Sequence, residues 1–409
     1  MKHEINYLRE LAKKHIEIAH LPVMEERTSL WYRHNEVKAE RPIVLVEMAS
    51  FASDLLPELQ CENDLTRQIE HELQTHITHY ERIGDDKVVP KTFSIPLHIG
   101  VKIFDLEQKR TFANDSTGKP LGWKDEHFIQ DLEKDFPKLR HSTISYDRVK
   151  TEEYKAFAEE VLDGLMPVQL RNRSLDWLGI SNRIIDLMGM ESLMFAMIDT
   201  PELVKELYDF VCDDIIYILR TMENMNLLTP NNGNDYAGAG SYGFTDELKS
   251  EGKITSDMLW GNLNSQETVT ISAEMFGEFA FPAYMRLSEE FGLSYYGCCE
   301  PVHSIWKDYI SKLHGLRKVS VSPWCDEEYM GDALRGGKVI YSRKPRPDFL
   351  GVKNFFDENR YKEHITNTLK AAKGCGLEII HRDVYTLSGD LDKPKRAVKI
   401  IRKLIDEIW

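Results

Sequence analysis

The sequence has few cysteines and no long uninterrupted apolar run. Six cysteines are spread over 409 residues without the dense spacing of a disulfide framework, so we expect reduced thiols and a cytoplasmic location. No window approaches the run of about 18 apolar residues that a membrane span needs. The charged, amphipathic amino-terminal stretch also lacks the apolar centre of a signal peptide. These absences argue against the secreted, disulfide-stabilised and membrane-spanning classes.

Positive charge is also scarce. The chain has 52 Lys and Arg residues against 67 Asp and Glu residues, which gives a formal net charge of −15. Such an acidic surface argues against nucleic acid or an anionic membrane as a partner. The chain further lacks a G-x-G-x-x-G turn after its first predicted strand, which weighs against a doubly wound open sheet.

What is present is a regular alternation of short apolar runs and helical patterns. Most of the apolar runs are separated by helical segments, which predicts a parallel sheet. Eight strand–helix units predict a (β/α)8 TIM barrel, with residues 1–409 forming a single domain. The predicted strands are 43–47, 166–170, 226–230, 257–260, 293–297, 317–322, 338–342 and 377–382.

Two segments stand outside this alternation. Residues 1–41 are predicted to be an amino-terminal extension, with a helix over 4–20 and a polar connection over 21–41. Residues 85–150 carry alternating and turn-rich patterns, which predict a hairpin-like insertion after the first strand–helix unit.

The barrel prediction locates a candidate active site, because such barrels carry their active sites at the carboxyl ends of the strands. Polar, sulfur-containing and aromatic residues follow the predicted strands. This convergence is stronger evidence than any one motif. The residues are Glu47, Asn232, Asp235, Tyr236, Trp260, Cys298, Cys299, Glu300, Trp324, Lys344, His381 and Asp383.

The run Cys298-Cys299-Glu300 is the most specific of these features. Two thiols and a carboxylate at a strand end are groups that hold zinc. Neighbouring side chains of an extended strand point to opposite faces, so we expect Cys299 to face the site, with Cys298 and Glu300 as less certain partners. The alternative is a pair of small buried residues with a helix-capping carboxylate.

Three further residues can complete a metal or acid–base site. His381 and Asp383 share one face of the last strand by its period of two. Either can supply a zinc ligand, although His381 can equally be part of an ion-pair network with Arg382 or Lys344. Glu47 ends the first strand, where a carboxylate can bind metal or act in acid–base catalysis.

The remaining strand-end residues are predicted to contact a substrate. Asn232 and Asp235 lie in a polar loop that can orient a substrate or reflect ordinary turn chemistry. Rings at strand ends can stack on an aromatic ligand, and a lysine can hold an anionic group. These predicted substrate-binding residues are Tyr236, Trp260, Trp324 and Lys344.

Several of these stretches resemble the uroporphyrinogen decarboxylase-like superfamily, and more narrowly its corrinoid-dependent methyltransferase branch. The resemblance spans roughly residues 40–405 and is carried by the runs 295–301, 319–324 and 342–345, with Tyr-Tyr-Gly-Cys-Cys-Glu-Pro as the most specific piece. It implies a (β/α)8 barrel. The true decarboxylases carry an Arg-Gln-Ala-Gly-Arg element near the first strand, whereas residues 47–51 here contain no arginine.

The resemblance implies zinc as a cofactor and a corrinoid (cobalamin) carried by a separate protein that docks at the barrel mouth. The relatives that methylate coenzyme M carry His-x-Cys on the equivalent strand and another Cys after the last one. This chain has Gly297-Cys298-Cys299 and no Cys after Arg382. Its metal ligands are therefore predicted to be Cys298, Cys299, Glu300 and His381, and its catalytic residues Glu47, Asn232, Asp235 and Asp383.

The implied activity is demethylation of a small methylated substrate, most simply an aromatic methyl ether, with transfer of the methyl group to the corrinoid protein. Three alternatives stay open: a methylcobamide:thiol methyltransferase resembling the coenzyme M enzymes, a uroporphyrinogen decarboxylase, and a non-catalytic barrel. A homodimer is compatible with all of them.

Overall fold

The computed structural model describes residues 2–107, 110–114, 120–175 and 178–409. The strands in chain order are β1 (Ile43–Val46), β2 (Phe93–Pro96), β3 (Ile99–Lys102), β4 (Arg110–Asn114), β5 (Pro120–Asp125), β6 (Thr143–Tyr146), β7 (Val168–Arg171), β8 (Tyr236–Gly238), β9 (Ser241–Tyr242), β10 (Trp260–Leu263), β11 (Leu293–Tyr296), β12 (Leu316–Val321), β13 (Ile340–Arg343) and β14 (Leu377–His381).

The α-helices in chain order are α1 (Lys2–Ala19), α2 (Pro22–Asn35), α3 (Ala52–Leu55), α4 (Asp64–Arg82), α5 (Leu132–Asp135), α6 (Arg148–Leu162), α7 (Ile180–Met188), α8 (Met190–Asp199), α9 (Pro201–Asn224), α10 (Ala273–Met275), α11 (Phe281–Ser288), α12 (His303–Trp306), α13 (Glu327–Leu334), α14 (Asp348–Gly351), α15 (Glu358–Ala371) and α16 (Lys393–Ile408). None of these described helices combines the length and the apolar character that crossing a bilayer requires.

The central element is a six-stranded parallel sheet in the order β1-β14-β13-β12-β11-β10. Helices separate its strands along the chain, so the protein is a mixed α/β protein, as the alternation predicted. Five strands lie within a few residues of their predicted positions. The strand predicted at 257–260 begins instead at Trp260, because residues 256–258 form a 3₁₀ turn.

Two predicted strands do not join this sheet in the described part of the chain. The strand predicted at 166–170 is β7, which pairs in parallel with β2 in a separate two-stranded sheet. The prediction of a strand over 226–230 is wrong: α9 runs to Asn224, and the chain leaves it through Asn226, whose φ is +54°. The left-handed conformation of Asn226 follows the end of the helix instead of starting a strand.

The range 85–150, predicted as an insertion, contains more than a hairpin. Two antiparallel pairs, β3–β6 and β4–β5, occupy much of it. However, β2 also lies within these limits and pairs in parallel with β7. Its short burial pattern, buried at Phe93 and Ile95 only, alternates like that of a hairpin strand, which is why periodicity did not distinguish it.

Both edges of the six-stranded sheet are closed by side chains. On β1, the N–H groups of Val44 and Val46 donate to Asp86 Oδ2 and Asp85 Oδ2, each over 2.9 Å. On β10, Asn231 accepts from the Trp260 N–H and donates to the Trp260 carbonyl. These bonds occupy backbone groups that a further strand would need for pairing.

The amino-terminal extension contains a second helix that the sequence pattern did not reveal. Residues 21–41 were predicted as a polar connection, but α2 covers most of them and buries Trp31, His34 and Asn35. Trp31 packs with Ile43, Leu45 and Ile380 of the sheet. The helix was missed because its buried positions include polar residues, so it shows little apolar periodicity.

A short hairpin, β8–β9, packs against one face of the six-stranded sheet, which we call the inner face. Glycine is required where the hairpin meets the sheet. A Cβ on Gly238 would lie 2.5 Å from Tyr295 Cγ, and one on Gly240 would lie 2.9 Å from Ile380 Cγ2. Gly240 also has φ +84°, which side chains rarely adopt. The Gly238-Ala239-Gly240 motif therefore serves a close backbone approach.

We predict that Gly240→Ala lowers the free energy of unfolding by about 2–4 kcal/mol, from left-handed backbone strain plus overpacking against Ile380. Gly336→Ala is the matched control, since Gly336 has φ +69° but no atom within 4 Å of its ideal Cβ. The control should lose only about 1 kcal/mol. Urea unfolding measures both, and equal losses would show that the hairpin does not pack tightly.

Candidate functional site

The carboxyl ends of β1, β11 and β14 bring five side chains together. We call Glu47, Cys298, Cys299, Arg382 and Asp383 the thiol–arginine cluster. Because β1 and β14 are neighbours in the parallel sheet and β11 ends at the same edge, residues that follow their last positions meet there. Four of the five were predicted as site residues, and Arg382 was considered only as an ion-pair partner.

Both cysteines of the pair lie in the cluster, contrary to the expectation that only one would. The Sγ atoms of Cys298 and Cys299 are 3.6 Å apart. Gly297 precedes them with φ +96°, which ends the extended conformation and with it the alternation of side chains. Cys298 is buried and Cys299 is exposed.

The Arg382 guanidinium connects the members of the cluster. Its Nε lies 3.3 Å from Glu47 Oε2 and 3.5 Å from Asp383 Oδ2. Its Nη1 lies 3.8 Å from Cys298 Sγ, and Asp383 Oδ2 lies 3.8 Å from Cys299 Sγ. A single cation thus stands among two carboxylates and two thiols, which favours the anionic form of a thiol.

The pKa values of the two thiols are shifted in opposite directions. A hydrogen bond from Cys298 lowers the pKa of the exposed Cys299, and the same bond together with burial raises the pKa of Cys298. Burial opposes the charge on Arg382, but Glu47 and Cys298 outweigh it and raise the pKa of the guanidinium. Cys299, which is exposed and has the lower pKa, is therefore the more reactive thiol of the pair.

Two predicted metal ligands face away from the cluster. Glu300 is 3% exposed and accepts hydrogen bonds from the Ser265 and Cys298 N–H groups over 2.9 and 2.7 Å. His381 points to the outer face of the sheet, where its Nε2 lies 2.5 Å from the Tyr361 hydroxyl. Burial lowers the pKa of His381 to about 3. Hydrogen bonds within the fold therefore hold Glu300 and His381 away from the cluster.

The predicted polar-loop residues are also engaged in structure. The Asn232 amide donates to the carbonyls of Thr245 and Leu248 over 3.2 and 3.0 Å. Asp235 lies 3.2 Å from Arg171 Nε, and burial raises the pKa of its carboxyl. Asn232 thus holds a loop, and both residues line a cavity of about 1440 Å³ beside the cluster.

Of the predicted aromatic contacts, Tyr236 alone lies at both the cavity and the cluster. It lines the cavity together with Glu47, and burial raises its pKa to about 12, with Arg382 and Glu47 among its charged neighbours. Trp260 is buried, and its indole N–H donates to the Gly243 carbonyl. Trp324 is 66% exposed at the sheet's carboxyl edge.

Lys344 lies deeper on the inner face than predicted for a substrate contact. Its Nζ donates to the Tyr295 hydroxyl over 3.0 Å and to Ser342 Oγ over 2.5 Å. Burial lowers its pKa to about 7. Only 3% of the residue is exposed, so it belongs to the polar network beneath the cluster.

Sequence reasoning missed the centre of that network, Glu378. It accepts hydrogen bonds from His34 Nε2 and Lys318 Nζ over 3.1 Å, from Ser241 Oγ over 2.9 Å and from Ser342 Oγ over 2.5 Å. Although burial raises it, the pKa of Glu378 is held well below its usual range by Lys318 and His34. One sequence signal was present: Lys318 lies in the predicted strand that became β12, and Glu378 lies in the predicted strand that became β14. Opposite charges in two buried strands indicate a buried ion pair.

The zinc implied by the resemblance fits only part of its predicted ligand set. The thiol separation of 3.6 Å is close to the about 3.8 Å expected for two thiolates about 2.3 Å from a tetrahedral zinc. Glu300 and His381 do not fit, and Asp383 is the carboxylate beside Cys299. In the described ranges, no group of three or more His, Cys, Asp and Glu side chains has the geometry to hold a metal ion.

Comparison with known proteins adds no family: no protein-family model matches the chain, and no curated protein matches it. The fold and the site define a mixed α/β protein with a pair of thiols, an arginine and two carboxylates at the carboxyl edge of a parallel sheet.

We predict that iodoacetamide at pH 7 modifies Cys299 before any other cysteine, because Cys299 is exposed and its pKa is lowered while the other five are buried. Peptide mass spectrometry of a time course locates the fast site. Cys299→Ser should remove the fast phase and Cys61→Ser should leave it intact. Equal labelling of Cys61 or Cys212 would contradict this order.

Lys344 provides a test of the buried network through pH. Its folded-state pKa of about 7 lies below the about 10.4 of an exposed lysine. The unfolded chain therefore binds the extra proton between these values, and wild-type stability rises with pH relative to Lys344→Met. Urea unfolding of both proteins at pH 7, 8 and 9 measures the difference, and parallel pH curves would contradict the depressed pKa.

Proposed function

We propose that this protein is a zinc-dependent methyltransferase that moves a methyl group from an aromatic methyl ether to the corrinoid of a separate protein. We further propose that its strands form a (β/α)8 barrel in which β2 and β7 complete the circle across a seam. The observation that carries the functional proposal is the convergence of Cys298 and Cys299, 3.6 Å apart, at the carboxyl edge of a parallel sheet.

Cys298 and Cys299 would hold the zinc, with Asp383 as the adjacent carboxylate. Soft sulfur donors suit zinc, and bound zinc supplies a Lewis acid that polarises the ether oxygen. Arg382 lies within 4 Å of Cys298, Glu47 and Asp383. Its positive charge acts to lower the pKa of both thiols, against burial, and so favours the thiolate form that binds zinc.

Tyr236 and Glu47 are placed to orient the substrate. Both line the cavity, which is large enough for a small aromatic molecule. With a pKa raised to about 12 by burial, Tyr236 keeps its proton at neutral pH and can donate a hydrogen bond to the substrate oxygen. Glu47 is fixed by Arg382 and can accept one.

Exposed rings at the same edge support docking of the corrinoid protein. Trp324 follows β12 and is 66% exposed, and Tyr385 follows β14 and is 72% exposed. Large exposed rings of this kind are enriched where proteins bind one another. They stand at the edge that carries the thiol–arginine cluster, where the methyl group would pass to the partner.

The experiment combines zinc analysis with a methyl-transfer assay. Wild-type protein should bind about one zinc per chain and form methylcobalamin from 2-methoxyphenol and cob(I)alamin. Cys299→Ala should lose the zinc and about 100-fold or more of the rate. Cys61→Ala is the matched control and should keep both.

Two outcomes would redirect the proposal. Equal zinc content in wild type and Cys299→Ala would remove Cys299 as a ligand. Methylation of 2-mercaptoethanol from methylcobalamin, without any demethylation of methoxyarenes, would assign the thiol as the acceptor and contradict the methyl ether as the donor.

A further inference from the structure

The cavity beside the thiol–arginine cluster is built into the fold. Its volume is about 1440 Å³, and its walls come from α1, α2, α4, β2, β7 and the β8–β9 hairpin. Because Asp85, Asp86 and Asn231 close the two edges of the six-stranded sheet, the β2–β7 pair stands apart from them. The seam between the sheets is therefore an open space instead of a packed core.

Most of the charges on the cavity wall neutralise one another. Arg171 Nε lies 3.2 Å from Asp235, and Arg173 Nη2 lies 3.6 Å from Glu72. Glu47 is paired with Arg382 behind it, at 3.3 Å. Each of these carboxylates already has its cation, so none of them requires a charged ligand.

Lys87 is the exception on this wall. No carboxylate lies within 4 Å of its Nζ in the described part of the chain; its hydrogen-bond partner is the Tyr242 side chain, and Asp85, two residues away, is bound to His79 over 2.9 Å. Burial opposes the ammonium charge, but Tyr242, Asp85 and Glu72 outweigh it and raise the pKa of Lys87. The side chain is thus a charged ammonium on the wall of the cavity at neutral pH.

The surroundings of Lys87 also limit the shape of a ligand. The cavity wall near the hairpin carries the rings of Tyr32, Tyr236, Tyr242 and Phe244. Rings of this kind contact flat apolar bodies well. A lysine ammonium that forms no ion pair suits a ligand with a single negative charge, because a second charge would remain without a partner inside the protein.

We propose that the cavity binds a small organic monocarboxylate with a flat apolar body, its carboxylate paired with Lys87. The cavity is the one that the proposed function assigns to the substrate, so the proposal adds a carboxylate to the class of ligand expected there. The pairing of that carboxylate with Lys87 needs neither zinc at the thiol pair nor a corrinoid partner.

Isothermal titration calorimetry with benzoate tests the charge pairing, and benzamide is the neutral probe of the same shape. Wild type should bind benzoate at least about tenfold more tightly than benzamide, because a charge-assisted hydrogen bond contributes an affinity difference of about this size. Lys87→Met should weaken the binding of benzoate by about the same factor and leave the affinity for benzamide unchanged. Lys91→Met is the matched control on the cavity rim and should change neither by more than about twofold.

A second measurement keeps the test independent of the variants' folding. Reductive methylation of wild-type lysines, followed by mass spectrometry, should show Lys87 protected by saturating benzoate and not by benzamide, with Lys91 unaffected. Equal affinity for benzoate and benzamide, unchanged benzoate binding in Lys87→Met, or no protection of Lys87 would each overturn the proposal. These measurements use neither zinc nor a corrinoid, so their failure is distinguishable from a failure of the zinc and methyl-transfer assay.

Discussion

The buried carboxylate of Glu378 is the contact through which α2, the β8–β9 hairpin and three neighbouring strands hold one another. It accepts bonds from His34, Lys318, Ser241 and Ser342. A buried charge is tolerated only when its partners surround it, and loss of one partner typically costs about 3–5 kcal/mol. The face of the sheet that α2 and the hairpin cover is thereby fixed by polar bonds in addition to apolar packing.

This arrangement decides where chemistry can take place. Helix α2 and the hairpin fill the inner face around Glu378 and leave open space along the seam beside β1 and at the carboxyl edge. The thiol–arginine cluster occupies the edge, and the cavity occupies the seam. Glu47 belongs to both, and Tyr236 lines the cavity with Arg382 and Glu47 among its charged neighbours, so the cavity adjoins the cluster.

Much of the sheet and part of the site could be predicted from the sequence. Apolar runs located most strands, and the strand-end rule brought Glu47, Cys298, Cys299 and Asp383 to one edge. The rule failed for Glu300 and His381, because a side chain's face depends on local backbone: Gly297 at φ +96° ends the alternation before Glu300, and Asp383 at φ +57° ends it after His381. Helix α2 was missed because polar residues fill buried positions, which hides its periodicity, and β2 was read as part of a hairpin because its burial alternates like that of a hairpin strand.

The sequence by itself determined the parallel α/β architecture, the acidic surface, and a thiol pair at a strand end, because these follow from composition and from the two-residue period of strands. Only the tertiary structure decided which polar side chains already have hydrogen-bond partners within the protein. Asn232, Glu300 and His381 are held by partners far away in the chain or on the opposite face. Lys87 lies on a cavity wall with no carboxylate within 4 Å of its Nζ in the described structure. Sequence patterns are local and cannot reveal this, because the distances between remote segments are set only when the chain folds.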